Sequence, residues 1–184
     1  MPLREILLAD NPVLRQKSKK VRGIDPSVQR LIDDMIETMD HAHGVGLAAP
    51  QVGQLIRVLV LHLPDEEPLA LINPQVVKRA GERILEEGCL SIPGWRGEVK
   101  RSVTVTVKGL KRDGKEIRIK ANDDLLAQAL EHEIDHLDGV LYIDHLTAPD
   151  KLWKIPPHED EEGDEEEPEP DDIEEQMVGA QPGL

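Results

Sequence analysis

NDDLLAQALEHEIDHLDG, residues 122–139, reads as a helix with both ends marked. Asn122–Asp124 supplies capping side chains, and Gly139 is a natural stop. Leu125, Leu126, Ala129, Leu130, Ile134 and Leu137 recur at helical spacing, which gives the helix one apolar face. His132 and His136 are four apart and lie one above the other, so both imidazoles can reach one metal ion. Glu133 stands beside them, placed to hydrogen-bond a water rather than the metal. Ala129 shares the histidine face and leaves room there. The alternative is two surface histidines four apart by accident. The small residue beside them and the carboxylate between them favour the metal.

Working outward, KEIRIK (115–120) follows Asp113-Gly114, a hairpin-type turn, and pairs naturally with the alternating SVTVTVKGL (102–110). ERILEEGCLSIPG (82–94) reads as a strand running into a turn. LALINPQVV (69–77) reads as a strand interrupted at Asn73-Pro74, and IRVLVLHL (56–63) as a buried strand. GVGLAAPQVG (44–53) reads as a Gly-rich loop with side chains too small for core packing alone. A second helix begins after Asp25, a cap, with Pro26 at its first position. Its stripe is Val28, Leu31, Ile32, Met35, Ile36 and Met39, fading near His41–Gly44. Residues 1–24 read as irregular, and VLYID (140–144) as a short last strand. The predicted class is α+β: antiparallel strands packed around a metal-bearing HExxH helix, with an N-terminal helix.

The chain has 184 residues and a net charge of −15. Residues 155–184 hold 13 acids and no lysine or arginine, which leaves 24 acids against 22 bases in 1–154. The expected division is a near-neutral catalytic domain, 1–154, and an acidic, disordered tail, 155–184. The whole chain is 39% hydrophobic yet has no phenylalanine; Trp95, Tyr142 and Trp153 are the only aromatics. That scarcity argues against single-stranded nucleic-acid binding, and neither half forms a DNA-binding or polybasic membrane surface. Cys89 is the only cysteine, so no intramolecular disulfide is possible. No apolar run spans a membrane and no secretory signal opens the chain, so a cytoplasmic location is expected.

Two histidines leave a catalytic metal site one protein ligand short. A downstream glutamate, as in thermolysin-like peptidases, is found only in the acidic tail. The metzincin extension fails after Gly139, while Asp144, His145 and Asp150 remain downstream alternatives. Upstream stands Cys89 in Glu87-Gly88-Cys89-Leu90-Ser91, a lone thiol flanked by glycine and a turn. It is the favoured third ligand over a small buried thiol.

GVGLAAPQ (44–51), EGCLS (87–91) and HEIDH (132–136) together resemble the three signature motifs of peptide deformylase, in order and at matching spacing. The resemblance covers roughly residues 1–150. It implies that Cys89, His132 and His136 hold one divalent metal, with Fe(II) native and Zn(II), Ni(II) or Co(II) as substitutes. It implies Glu133 as general base and then acid, with Gln51 and the Leu90 N–H as oxyanion donors. An N-formylmethionyl peptide would run along Gly44, Val45, Gly46 and Gly88. Its methionine would enter a pocket of Val45, Leu125 and Ala129, rimmed by Glu87. Gln128 departs from the aliphatic residue expected there. Glu87 and Arg101 read equally as a supporting ion pair or an ordinary exposed one. His41, His43, His62 and His145 receive no role. The implied partners are the peptide and the ribosome near the nascent-chain exit.

Two rivals stand beside this reading. An endopeptidase of the gluzincin type needs a folded downstream glutamate, which is missing. A non-enzymatic module with an acidic binding tail has no use for an intact Glu133.

Overall fold

The unbroken apolar run Val58–Leu61 is strand β2, and the computed structural model, which describes residues 3–156, covers it on both faces. Successive strand residues face opposite sides. Val58 and Val60 join one core cluster, while Leu59 and Leu61 join another. The first cluster is built on α1 (Pro26–His41), whose Val28, Leu31, Ile32, Met35 and Met39 pack on that side. The second is built on α2 (Leu125–Leu137), through Leu130, Ile134 and Leu137. Fully burying one such leucine contributes about 2 kcal/mol relative to exposure. A strand covered by a helix on each face therefore needs apolar residues at every position.

Both helices start where their capping residues dictate. The Asp25 carboxylate accepts from the Ser27 and Val28 N–H groups, and Pro26 has no N–H to leave unpaired. Asp124 accepts from the Ala127 N–H at 2.7 Å and opens α2 at Leu125. Gly139, at φ +76°, closes it.

The larger sheet has the order β1 (Gly46–Ala48), β2, β3 (Leu69–Ala80), β6 (Thr104–Leu110), β7 (Glu116–Asn122). The smaller has the order β4 (Arg83–Cys89), β5 (Ile92–Arg101), β8 (Leu152–Lys154). All neighbours are antiparallel. The short strand β1 and the strand β4 are edges of their sheets, which matters below.

Four sequence expectations need correction. The stretch 44–53 is not simply a loop: it contains β1 and a 3₁₀ turn, Ala49–Val52. Asn73-Pro74 does not end its strand. Asn73 takes φ +52°, its side chain pairs with both backbone groups of Val21, and β3 continues through a register shift to Ala80. VLYID is not a strand; Asp144 turns back to accept the Leu141 N–H, which winds Tyr142–His145 into a 3₁₀ turn. The last strand is β8, where Lys154 pairs opposite Trp95. The Ile155 N–H also donates to the Gly94 carbonyl at 2.9 Å, so the body reaches past Lys154. The rest of the expected tail lies outside the described residues. Among the described residues no helix is long and apolar enough to cross a membrane.

Candidate active site

A groove of about 550 Å³ is lined by every candidate site residue of the sequence reading except His136. His136 stands directly behind it, with Nε2 3.3 Å from the Cys89 Sγ. α2 supplies His132, Glu133 and His136. The β4–β5 hairpin supplies Cys89, whose two-residue turn at Leu90-Ser91 returns the chain at Ile92. The segment around β1 supplies the opposite wall.

Whether a metal fits can be judged from the donors. Sγ of Cys89 and one nitrogen from each histidine lie within 4.8 Å of one another. Tetrahedral coordination with ordinary metal–sulfur and metal–nitrogen bonds puts sulfur and nitrogen about 3.5 Å apart. The observed 3.3 Å matches that edge. Burial, and then the charge of His132, pushes His136 well below the ordinary histidine range, so its lone pair is free. Burial opposes a charge on His132, yet Cys89, Glu87 and Glu133 together favour one strongly enough to raise its pKa. A metal cation supplies positive charge at the same place. The three donors fit a divalent ion.

Glu87 lines the groove and is tied down on its inner side. It is 2% exposed and both of its oxygens are occupied. Arg101 grips it with two hydrogen bonds, 2.7 and 2.9 Å, and Nδ1 of His132 meets Oε2 at 2.8 Å. A histidine whose other nitrogen meets a carboxylate is fixed in ring orientation and tautomer. Burial would raise Glu87, but His132 and Arg101 outweigh it and hold the carboxyl at about 2. The Glu87–Arg101 pair is therefore a buried ion pair, which settles the choice that the sequence left open.

Glu133 is 4% exposed, and its Oε2 has no hydrogen-bond partner among the described residues. Burial drives its pKa up to about 7, against the opposing charge of His132. Gln51 is held at 1% exposure. Its Oε1 accepts from the Ala48 N–H at 2.8 Å, which turns Nε2 toward the Ser91 hydroxyl (3.1 Å) and Cys89 Sγ (3.7 Å). The irregular N-terminal segment braces both sides: Leu7 N–H donates to the Gln51 carbonyl and Ala9 N–H to the Ser91 carbonyl.

The two glycines have a reason the sequence reading did not give. A Cβ on Gly46 would stand 2.9 Å from the Glu133 carboxyl carbon, and one on Gly44 would stand 2.7 Å from a Leu90 methyl. They make room for protein side chains, Glu133 above all.

Sequence reasoning missed Asp135 and passed over His145. Asp135 accepts from Arg101, and His145 meets the same oxygen at 2.9 Å. The signal for Asp135 was its position three residues after His132, which puts it on the neighbouring face of the helix. For His145 no local pattern existed.

Two histidines and a thiol, beside a buried carboxyl that titrates near neutrality, are the equipment of a metal-dependent hydrolase. The model of the polypeptide deformylase family matches residues 3–152. The "Peptide deformylase" of Dehalococcoides mccartyi strain CBDB1 is 56% identical over 161 residues, covering 87% of this chain and 96% of that protein. That of Thermomicrobium roseum is 46% identical, covering 88% and 96%. The crystal structure of a peptide deformylase from Legionella pneumophila superposes with a TM-score of 0.78 at 45% identity, covering 82% and 89%. A peptide deformylase from Synechococcus elongatus, solved in complex with actinonin, gives 0.78 at 39% identity, covering 82% of each chain. The chain belongs to the peptide deformylase family. It is a metalloenzyme that removes the N-formyl group from the N-terminal methionine of nascent peptides and releases formate.

Proposed function

We propose that Cys89, His132 and His136 hold the metal and that Glu133, Gln51 and Leu90 carry the hydrolysis. The observation that supports this most is convergence. Cys89, His132, Gln51 and Glu133, whose Oε2 is unpartnered, line one groove, and the His136 donor stands behind it within 4.8 Å of the other two. When bound, the metal supplies Lewis acidity and lowers the pKa of the attacking water. Oε2 of Glu133 takes the proton of that water and then gives it to the departing amine nitrogen. A carboxyl titrating at about 7 is matched to both tasks at neutral pH. Nε2 of Gln51 and the Leu90 N–H donate to the oxygen on which negative charge develops. The native ion is Fe(II), with Zn(II), Ni(II) or Co(II) able to replace it; a thiolate with two imidazoles accepts all four.

The peptide lies as an added strand between Val45, at the edge of β1, and Gly88, near the end of β4. Its methionine enters between Val45, Leu125 and Ala129. Val45 and Leu125 are 38% and 40% exposed, unusually open for large apolar residues and suited to being covered by a substrate. Gln128 borders this pocket with its amide N–H engaged by the Glu86 carbonyl at 3.1 Å. Residues 1–154, closed by Ile155, form the catalytic body, and the acidic remainder up to residue 184 is an appendage. The enzyme works in the cytoplasm, on peptides leaving the ribosome.

The test compares hydrolysis of matched formyl-Met and acetyl-Met peptides, read as release of the free amino terminus common to both. A methyl in place of hydrogen on the scissile carbon displaces it by about 1 Å, worth roughly a hundredfold in rate. Comparable kcat/KM on the two would overturn the assignment in favour of a broader amide hydrolase. Cys89→Ser should lose the metal, since a hydroxyl is a far poorer donor at neutral pH than a thiolate. Full occupancy in that variant would remove Cys89 from the ligand set.

A further inference from the structure

A chain of buried polar contacts runs from His132 to a second cavity that shares no lining residue with the groove. Nδ1 of His132 meets Glu87, Glu87 is gripped by Arg101, and Nη1 of Arg101 donates to Oδ2 of Asp135 at 2.5 Å. The same Oδ2 meets Nε2 of His145 at 2.9 Å. Side-chain exposure is 1% at Glu87, 3% at Arg101 and 15% at Asp135, then rises to 36% at His145. The second cavity, about 400 Å³, is lined by Arg101, Asp135 and His145 among others.

We infer that Asp135 and His145 are positioning residues for His132, acting through Arg101 and Glu87. The inference rests on His132 being a metal ligand. Arg101 spends Nε and Nη2 on Glu87, so only Nη1 remains to fix its rotation about that pair, and Asp135 takes it. Asp135 has one oxygen serving both Arg101 and His145, so His145 holds the carboxylate from its open side. Without that anchor Arg101 keeps its charge but loses its fixed plane. The Glu87 carboxylate, and with it the His132 ring, then samples a wider range of directions. Partners of metal-binding histidines typically alter metal affinity or activity by about 10–100-fold. The feature is built into the motif itself, because Asp135 lies between Ile134 and His136 on the same helix.

Cobalt(II) reports the geometry directly, through its d–d bands and its thiolate charge-transfer band. The cobalt-loaded enzyme and its Asp135→Asn, His145→Ala and His145→Gln variants are compared by chelator competition, absorption spectrum, and separate kcat and KM. Asp135→Asn keeps the shape but loses the charge; about tenfold weaker cobalt affinity, altered d–d bands and a lower kcat at unchanged KM are expected. His145→Ala should move the same readouts in the same direction by a few-fold. His145→Gln, which can still donate to Asp135, should restore them to within about twofold. Should Asp135→Asn fail to fold, the partly exposed His145 pair decides alone. Wild-type affinity and spectrum in His145→Ala, or a glutamine variant no better than alanine, would overturn the inference. Absence of a thiolate band in the wild type would instead overturn the ligand assignment on which it rests.

Discussion

Replacing Gly46 by alanine adds one methyl group, and the structure fixes where it goes. The new Cβ would stand 2.9 Å from both the Cγ and the carboxyl carbon of Glu133. Carbon atoms in comfortable contact are about 3.5–4.0 Å apart. Something must therefore move by about 0.6–1 Å. Turning only the carboxylate does not relieve the clash, because Cγ is as close as the carboxyl carbon. The backbone of Gly46 is not in the left-handed region, so alanine brings no dihedral strain of its own. Overpacking costs about 1–3 kcal/mol of stability, partly offset by the stiffer unfolded chain. The larger effect is on rate, where a displacement of about 1 Å of a reacting group costs roughly a hundredfold. The expected result is kcat down by about two orders of magnitude, with metal content unchanged and a small shift in Tm. Gly44→Ala is the control, since its methyl meets the far end of the flexible Leu90 side chain, which can turn aside. Formate release from a formyl-Met peptide, with metal analysis of the same samples, measures both. A Gly46→Ala enzyme within about threefold of wild-type kcat would refute the claim that this glycine exists to seat Glu133.

Other perturbations give separate readings. Glu87 is held at about 2 against a usual 4.5, so its ionised form stabilises the folded chain fully above about pH 4.5. That stabilisation, on the order of 3 kcal/mol, is lost as pH falls from about 4.5 through 2. Urea unfolding of metal-free wild type and Glu87→Gln should show a stability gap that closes across this window; a pH-independent gap would contradict it. Ending the chain after Pro156 keeps β8 and the Ile155–Gly94 hydrogen bond, so kcat/KM and Tm should stay near full-length values. Ending it after Lys151 removes the strand beside Trp95 and should lower Tm by several degrees.

Much of this architecture could be read from the residues because the deciding signals are local. Asp25-Pro26 and Asp124 cap helices through side-chain oxygens two or three residues away, so both starts were visible. The doubly buried β2 was visible as four apolar residues in a row. Expectation failed where a distant partner decides. Asn73-Pro74 looks like a break until Val21, 52 positions away, satisfies the asparagine side chain. VLYID has strand composition, but Asp144 captures the Leu141 N–H, and Arg15 holds Asp144 from the far end of the chain. The site divides the same way. The proposed ligands and Glu133 stood out through i, i+4 spacing and a lone thiol. By contrast, the burial of Glu87 was not legible, because nothing local says that Arg101 and His132 engage both of its oxygens. His145 was passed over because its partner, Asp135, lies ten residues away across a helix end.

The central claim is that three residues hold the metal while a fourth, Glu133, moves the proton. Glu133→Ala tests it most directly, with metal stoichiometry and single-turnover formate release measured on one preparation. One metal per chain should remain, since Cys89, His132 and His136 are untouched, and the rate should fall by about a thousandfold or more, within the range of general acid–base effects. Near-normal turnover at full metal occupancy would contradict the account.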